Sequence, residues 1–196
     1  RITHEEDVEI VERVLSETVN GRIAGYLSDA GIECARMSGK SDALLVAQKT
    51  LRDGKDVGFV GEIVHVNPWI VLDALSRNKV PVVSPISANT EGVTFNVNAD
   101  TAAAALAVGT YCSDLIYFSD VPGVLDENNE VLSILSVDAG RALIQSGLIS
   151  GGMVAKLESI FDAIERGLEC VHITQWQGPD TLLHVLADKN ITKTTI

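Results

Sequence analysis

The sequence has little positive charge. It contains 15 lysine and arginine residues against 27 aspartate and glutamate residues, which gives a formal net charge of −12. A surface that binds DNA or RNA needs a basic stripe, so this balance argues against a nucleic-acid partner. A small anionic ligand remains compatible with it, because a few local cations and helix ends are enough to hold one.

Cysteine is scarce, and long apolar runs are missing. Cys34, Cys112 and Cys170 are widely spaced and form no CxxC pair, which argues against a disulfide framework and a zinc site. Ordinary buried thiols in a reducing cytoplasm fit them better. The histidines show no mutual spacing that is typical of a metal site. No apolar run approaches the roughly 20 residues of a membrane helix, and no secretory signal is visible. We therefore expect a cytoplasmic protein without a membrane partner or a protein-bound metal.

Two common nucleotide-binding motifs are also missing. Residues 38–41, Ser-Gly-Lys-Ser, resemble the end of a phosphate-binding P-loop, but Cys34 stands where its first glycine belongs. A complete G-x-G-x-x-G does not occur either. These absences argue against a P-loop enzyme and against a nicotinamide-dependent one.

What the sequence does contain is an alternation of short apolar segments with helical ones. Val8, Val11, Leu15 and Val19 recur at helical spacing near the start. The segments expected to be extended are 32–35, 57–66 (kinked at a glycine or folded as a hairpin), 81–84, 93–98, 115–118 and 170–174; residues 41–50 are ambiguous. This pattern predicts an α/β fold with a mostly parallel sheet sandwiched between helices, as a single domain over residues 1–196.

Polar residues alternate with apolar ones where one of these strands gives way to a helix. Phe95 and Val97 should face one side, while Asn96, Asn98 and Asp100 face the other. Ligands of open α/β sheets bind at this carboxyl end of the strands. A helix cap formed by Asn98 or Asp100 is the alternative, but it explains only one of the three polar residues. The segment therefore favours a ligand site.

Two further segments are compatible with phosphate binding. Lys156 lies in the first turns of a helix after a glycine pair, where the helix dipole disfavours a cation by about 0.3–1 kcal/mol. A bound anion would reverse that cost, although an exposed surface lysine remains the alternative. The turn at 119–124 directly follows an apolar strand. Its Pro-Gly pair either lets the backbone approach a ligand or forms an ordinary turn.

Taken together and in order, three segments resemble signatures of the amino-acid kinase family, and within it of the N-acetylglutamate kinases. They are NVNAD (96–100), LIYFSDVPGVLD (115–126) and GLISGGMVAK (147–156). The similarity extends over nearly the whole chain, including DVGFVGEIVHVN (56–67). It implies transfer of phosphate from ATP, with Mg²⁺, to the γ-carboxylate of N-acetyl-L-glutamate or another N-acylglutamate, in arginine biosynthesis.

The resemblance also implies a role for each matching residue. Lys156 stabilises the transferring phosphoryl group, and Asp100 orients the catalytic lysines. Arg1 holds the α-carboxylate of the substrate, Asn96 binds the substrate, and Asn98 supports the same substrate-binding site. The residues implied in ATP binding are Ser119, Asp120, Val121, Pro122, Gly123, Val124, Leu125, Leu148, Ile149 and Ser150.

Some features depart from the family pattern. The opening strand with a lysine and a glycine pair, and the glycine-rich loop after the next strand, have no counterpart in the sequence. One of two catalytic lysines is therefore expected to be missing, which puts the activity of this polypeptide by itself in question. HITQWQGPD (172–180) and the terminal ITKTTI also differ from the commoner versions. The alternatives are a sister kinase acting on glutamate, aspartate or carbamate, and a catalytically silent regulatory module. By analogy, a homodimer is expected.

Overall fold

The computed structural model describes residues 2–52 and 54–196. These residues form two compact units, one ending at Thr110 and the other comprising Tyr111–Ile196. The α-helices are α1 Glu5–Glu12, α2 Asn20–Asp29, α3 Trp69–Ser76, α4 Ala99–Gly109, α5 Val137–Gln145, α6 Gly152–Glu165 and α7 Thr181–Leu186. The strands are β1 Cys34–Ser38, β2 Leu45–Arg52, β3 Lys55–Val66, β4 Val80–Ser84, β5 Ser87–Ala88, β6 Thr94–Val97, β7 Asp114–Phe118, β8 Cys170–Thr174 and β9 Lys193–Thr195. The predicted α/β class is confirmed, whereas the single domain over residues 1–196 stays a prediction. Among the described residues, no helix combines the length and apolarity that a bilayer crossing requires.

The first unit contains two strand arrangements. β1 and β4 pair in parallel, and β2, β3, β6 and β5 close into a small barrel. In the barrel β3–β6 and β2–β5 are parallel, while β2–β3 and β5–β6 are antiparallel. The ambiguous segment 41–50 thus contributes most of β2, and 57–66 belongs to one continuous strand that is the partner of β2 in a hairpin. One buried hydrophobic cluster of this unit contains Leu44, Leu45, Ala47, Val71, Phe95, Val97 and Ala102.

Gly58 is the glycine that kinks β3. Its φ is +75°, and the carbonyl oxygen of Thr3 occupies the space that a Cβ atom would need. The chain around Thr3 is bonded there, because Thr3 N donates to Val57 O at 3.0 Å and Phe59 N donates to Thr3 O at 2.8 Å. The glycine predicted to kink this segment therefore lets the start of the chain dock against β3.

The first helical segment departs from the regular spacing predicted for it. Between α1 and α2 the chain continues as a π-helix over Arg13–Val19. Val8 is buried as expected, but Val19 is exposed and Asn20 is buried in its place. A π-helix has more residues per turn than an α-helix, so it moves the inward-facing position along the chain. Arg36 supports this segment by donating to the carbonyls of Ser16 and Glu17 at 3.1 and 3.2 Å.

Asn20 connects the helix to the two-stranded sheet. Its side chain, in a residue only 3% exposed, donates to Val82 O at 2.7 Å and Met37 O at 3.1 Å. Its Oδ1 accepts from Arg36 Nε at 3.0 Å. An amide is required here, because a buried site that offers two acceptors and one donor needs a side chain with both functions.

We predict that Asn20→Leu destabilises the protein by about 2–4 kcal/mol, since it leaves buried carbonyls and the Arg36 donor without their partner. Urea unfolding followed by circular dichroism measures the change. Ser28→Leu, at an exposed position of α2, is the control and should stay within about 0.5 kcal/mol of the wild type. Equal stability of the two variants would show that the Asn20 hydrogen bonds contribute nothing net.

The second unit is a three-stranded sheet with its own core. β7 and β8 are parallel, with Asp114 opposite Cys170 and Phe118 opposite Thr174. β9 pairs with β8 in the antiparallel direction, a strand that the sequence did not predict. The largest buried side chains include Val124, Leu157, Ile160, Phe161, Val171, Ile173 and Val185.

Candidate functional site

The polar residues of the segment 96–100 lie at the junction of β6 and α4. Phe95 and Val97 are buried, Asn96 is half-buried and Asn98 is exposed, which confirms the predicted alternation along the strand. Because β6 ends at Val97, the alternation stops there, and Asp100 belongs to the first turn of α4. The polar side chains therefore lie where the carboxyl end of a strand meets the amino end of a helix.

Asn98 is the N-cap of α4. Its Oδ1 accepts from the backbone N–H groups of Asp100 at 2.8 Å and Thr101 at 3.1 Å. The capping alternative is therefore correct for this residue. It does not exclude ligand binding, because the cap uses the oxygen and the amide nitrogen Nδ2 is the atom that can donate to a ligand carboxylate.

Asn96 is connected to the beginning of the chain. Its Nδ2 donates to Thr3 Oγ1 at 3.4 Å, and Thr3 is buried against β3. The parallel register places Asn96 opposite Val60. Arg1, predicted to bind the α-carboxylate, lies outside the described residues. Thr3 was not predicted to take part in this region, and nothing in its local sequence indicated the contact.

The predicted nucleotide loop, Ser119 to Leu125, follows β7 in the second unit. Its first residue is fixed by a hydrogen bond from Ser119 N to Thr174 O at 2.8 Å. Its far end is fixed by Val124 N, which donates to the hydroxyl Oγ1 of Thr194 at 2.8 Å. A Cβ atom on Gly123 would lie 2.5 Å from the same Oγ1, so only glycine fits this approach. The loop is therefore hydrogen-bonded near both of its ends, to β8 through Thr174 and to β9 through Thr194.

Asp126 closes the turn that follows the loop. Its Oδ1 accepts from the backbone N–H groups of Asn128 at 2.8 Å and Glu130 at 2.9 Å. These donors, that of Glu130 first, lower the pKa of the Asp126 carboxyl below its usual value. The stability that these hydrogen bonds give to the turn is therefore complete above the ordinary carboxyl pKa of 3.8. It is lost as the pH falls through the lower pKa of the folded protein.

Lys156 lies in the second turn of α6, which begins after Gly151. Gly151 has a φ of +63°, a conformation that favours glycine at the helix start. The Lys156 Nζ lies 4.6 Å from the centroid of the Tyr117 ring, and Tyr117 is a buried residue of β7. This cation–π contact holds the lysine at the sheet. The sequence did not predict the role of Tyr117, although the apolar run of β7 contained it.

The predicted ATP-binding residues differ in how they can reach a ligand. Val124 and Ile149 turn their side chains into the core of the second unit, so only their backbone groups can meet a nucleotide. Ser119, Asp120, Leu148 and Ser150 are exposed or half-buried. Within this unit the structure thus provides a backbone loop, a glycine-led helix start and one lysine, a set that suits phosphate oxygens.

The chain belongs to the amino acid kinase family. The model of the Amino acid kinase family matches residues 2–175. More particularly, the chain is similar to acetylglutamate kinases. That of Azorhizobium caulinodans is 38% identical, over 97% of this chain and 67% of the relative. That of Campylobacter hominis is 39% identical, over 97% of this chain and 66% of the relative.

A solved structure has a similar fold. N-acetylglutamate synthase from Neisseria gonorrhoeae, in complex with coenzyme A and N-acetyl-glutamate, superposes with a TM-score of 0.88 at 23% identity. The similarity covers 100% of this chain and 45% of that protein, and it concerns the fold alone. In eight curated acetylglutamate kinases that it matches, the chain spans between 61% and 67% of their length.

We predict that Thr194→Val lowers both the stability of the protein and its affinity for nucleotide. The isosteric change leaves the buried Val124 N–H without an acceptor, which should cost about 1–3 kcal/mol. Urea unfolding measures the stability, and calorimetric titration with a non-hydrolysable ATP analogue measures the affinity. Thr192→Val, which keeps the backbone oxygen used by Thr174 and Gln177, is the control. Unchanged nucleotide affinity in Thr194→Val would contradict the supporting role of the hydroxyl.

Proposed function

We propose that this protein phosphorylates the γ-carboxylate of N-acetyl-L-glutamate with ATP and thereby takes part in arginine biosynthesis. The observation that carries the proposal is the phosphate-binding set of the second unit: Lys156 over Tyr117, the start of α6, and the backbone loop at the end of β7. The choice of acceptor is supported by acetylglutamate kinases with 38% and 39% identity over nearly the whole chain.

The residues proposed to bind the phosphate acceptor belong to the first unit. N-acetyl-L-glutamate carries two carboxylates and an acetamide oxygen, all of which accept hydrogen bonds. Asn96 and Asn98 offer amide donors at the end of β6, and the amino end of α4 adds the positive end of a helix dipole. We propose that these groups bind the acceptor, with Arg1 on its α-carboxylate. Asp100, in the first turn of α4, is proposed to orient the catalytic lysines.

The proposed reaction transfers the γ-phosphoryl group of ATP to the acceptor. An oxygen of the γ-carboxylate attacks the γ-phosphorus of ATP, and the bond from that phosphorus to the bridging oxygen breaks. ADP leaves with the electron pair, and the product is an acyl phosphate. Negative charge on the transferring group must be neutralised throughout, and there is little covalent work for the protein to do. We assign that neutralisation in part to Lys156, and the binding of the nucleotide to residues 119–125 and 148–150.

The remaining properties of the proposed enzyme are the form of its nucleotide, its location and its oligomeric state. ATP would enter as its magnesium complex, because Mg²⁺ bound mainly through phosphate oxygens keeps several waters and needs few protein ligands. We propose a cytoplasmic enzyme that acts on small molecules and forms a homodimer, with no nucleic-acid or membrane partner.

An acyl-phosphate trapping assay tests the function. The purified protein is incubated with magnesium, ATP and hydroxylamine, which converts an acyl phosphate into a hydroxamate, and ferric iron then forms a coloured complex with the hydroxamate. We expect hydroxamate with N-acetyl-L-glutamate and none with glutamate, aspartate or carbamate. Product from glutamate alone would assign a sister kinase. Binding of an ATP analogue without any hydroxamate would favour the silent regulatory module.

We predict that Lys156→Ala lowers turnover by about 10²–10³-fold, the usual effect of removing one preorganised charge contact from a transition state. The KM values for both substrates should change much less, because the contact strengthens mainly as charge redistributes during transfer. Steady-state kinetics provides both quantities. Lys189→Ala, which removes an exposed lysine of the same unit, should leave turnover unaltered. If Lys156→Ala turned over at the wild-type rate, Lys156 would have no role at the phosphoryl group.

A further inference from the structure

Three potential metal ligands lie together at the amino-terminal edge of the sheet in the second unit. They are Asp114, the first residue of β7, and Cys170 and His172 of β8. Asp114 lies opposite Cys170 in the parallel register, and Cys170 and His172 are two residues apart on one strand. All three side chains therefore project from the same face of the sheet. Their donor atoms lie within 4.8 Å of one another.

We propose that Asp114, Cys170 and His172 bind a divalent transition-metal ion of the zinc class. This site is additional to the proposed kinase function, which uses none of the three residues. Thiolate, imidazole and carboxylate are the three ligand types that Zn²⁺ takes from proteins. The widely spaced cysteines argued against such a site, because sequence spacing does not reveal a ligand supplied by a neighbouring strand.

The separations of the donor atoms match a shared ion. Cys170 Sγ lies 3.5 Å from His172 Nε2, and Asp114 Oδ1 lies 3.4 Å from the same nitrogen. Tetrahedral zinc with bonds of about 2.3 Å to sulfur and about 2.0 Å to nitrogen and oxygen requires separations of about 3.5 Å and about 3.3 Å. A hydrogen bond from nitrogen to oxygen is normally shorter than the second distance, at about 2.9 Å.

The orientation of the imidazole distinguishes a metal site from a proton relay. In a relay the carboxylate and the thiol contact different ring nitrogens. Here both face Nε2, while Nδ1 is 3.0 Å from Thr195 Oγ1. When Nδ1 donates to that hydroxyl, Nε2 presents its lone pair to two groups that are negative when ionised. A metal ion that displaces the thiol proton binds all three donor atoms at once, and Thr195 then orients the imidazole from behind, as is usual for histidines bound to metal.

The location and charge of the cluster suit a bound cation. His172 is only 6% exposed, whereas the Asp114 side chain is 37% exposed, so an ion can enter past Asp114. The complex of a divalent ion with one thiolate, one carboxylate and a neutral imidazole has no net charge. The positive charge of Lys193 is close enough to interact with Cys170 and His172, but this lysine forms an ion pair with Asp188 at 2.9 Å. β7 separates this edge from the nucleotide loop by about 13 Å, the length of a five-residue strand.

Cobalt titration of the whole protein tests the site. The protein is stripped with a chelator and titrated with Co²⁺ in a reducing buffer that does not bind metal. We expect one ion per chain, a thiolate-to-cobalt charge-transfer band, and the visible spectrum of four-coordinate cobalt. Added Zn²⁺ should displace the cobalt and abolish both signals. Absence of a charge-transfer band at saturating Co²⁺ would overturn the proposal.

Matched variants identify the ligands. Cys170→Ser and Asp114→Asn should each weaken Co²⁺ binding by about 100-fold or more. Thr195→Val should weaken it by about 10–100-fold, the usual effect of removing a residue that hydrogen-bonds to a metal ligand. Cys34→Ser, which changes a cysteine outside the cluster, should bind like the wild type. Asp114 is exposed, so its variant should fold normally, and circular dichroism checks this. Wild-type affinity in Cys170→Ser or in Asp114→Asn would show that the ion binds elsewhere, and would sink the proposal.

Discussion

The second unit depends on the antiparallel pairing of β9 with β8, a contact of only three residues on each strand. Because side chains alternate along a strand, this pairing directs Thr194 to the nucleotide loop and Thr195 to the imidazole of His172. The backbone of Thr195 also bonds Ser133 and Leu135, each at 2.9 Å. A slip of one residue would exchange the two faces and remove both hydroxyls from their partners. The register of one short strand therefore determines the shape of the loop and the orientation of the histidine.

The parts of the fold that the sequence predicted are those with a local physical signal. Buried parallel strands are apolar on both faces, so the α/β alternation is readable, and polar residues at a strand end stand out. Asn96, Asn98 and Asp100 were found in this way, and the structure places them where β6 meets α4. Lys156 was found because a cation at a helix start is electrostatically unfavourable without an anion. In each case the predicted place at a strand end or a helix start was correct, whereas the role in a binding site stays a prediction.

The parts that were missed depend on contacts between residues far apart in the sequence. β9 is short and polar at all three of its positions, so it lacks an apolar pattern, and its pairing with β8 spans a separate helix. The π-helix over Arg13–Val19 is stabilised by Arg36 and by Asn20, a residue that regular spacing would leave off the buried face. Asp114 joins Cys170 and His172 only through the register of two strands. Residue patterns within a short window contain none of this information, because the partners are chosen by the tertiary fold.

The chain has a net charge of −12, yet both proposed substrates are anions, and screening by salt reconciles the two. At physiological salt, exposed charges more than about 8 Å apart hardly interact, so the acidic surface as a whole contributes little to the field at a phosphate. In the proposed site, the groups that act on the phosphate are close to it: the backbone N–H groups of the loop after β7, the start of α6, and the ammonium of Lys156. The ring of Tyr117 matters in this respect, since its face lies 4.6 Å from the Lys156 ammonium and limits the positions that this cation can take. The proposed phosphate site therefore relies on the preorganisation of Lys156 and the nearby backbone N–H groups rather than on an excess of cations.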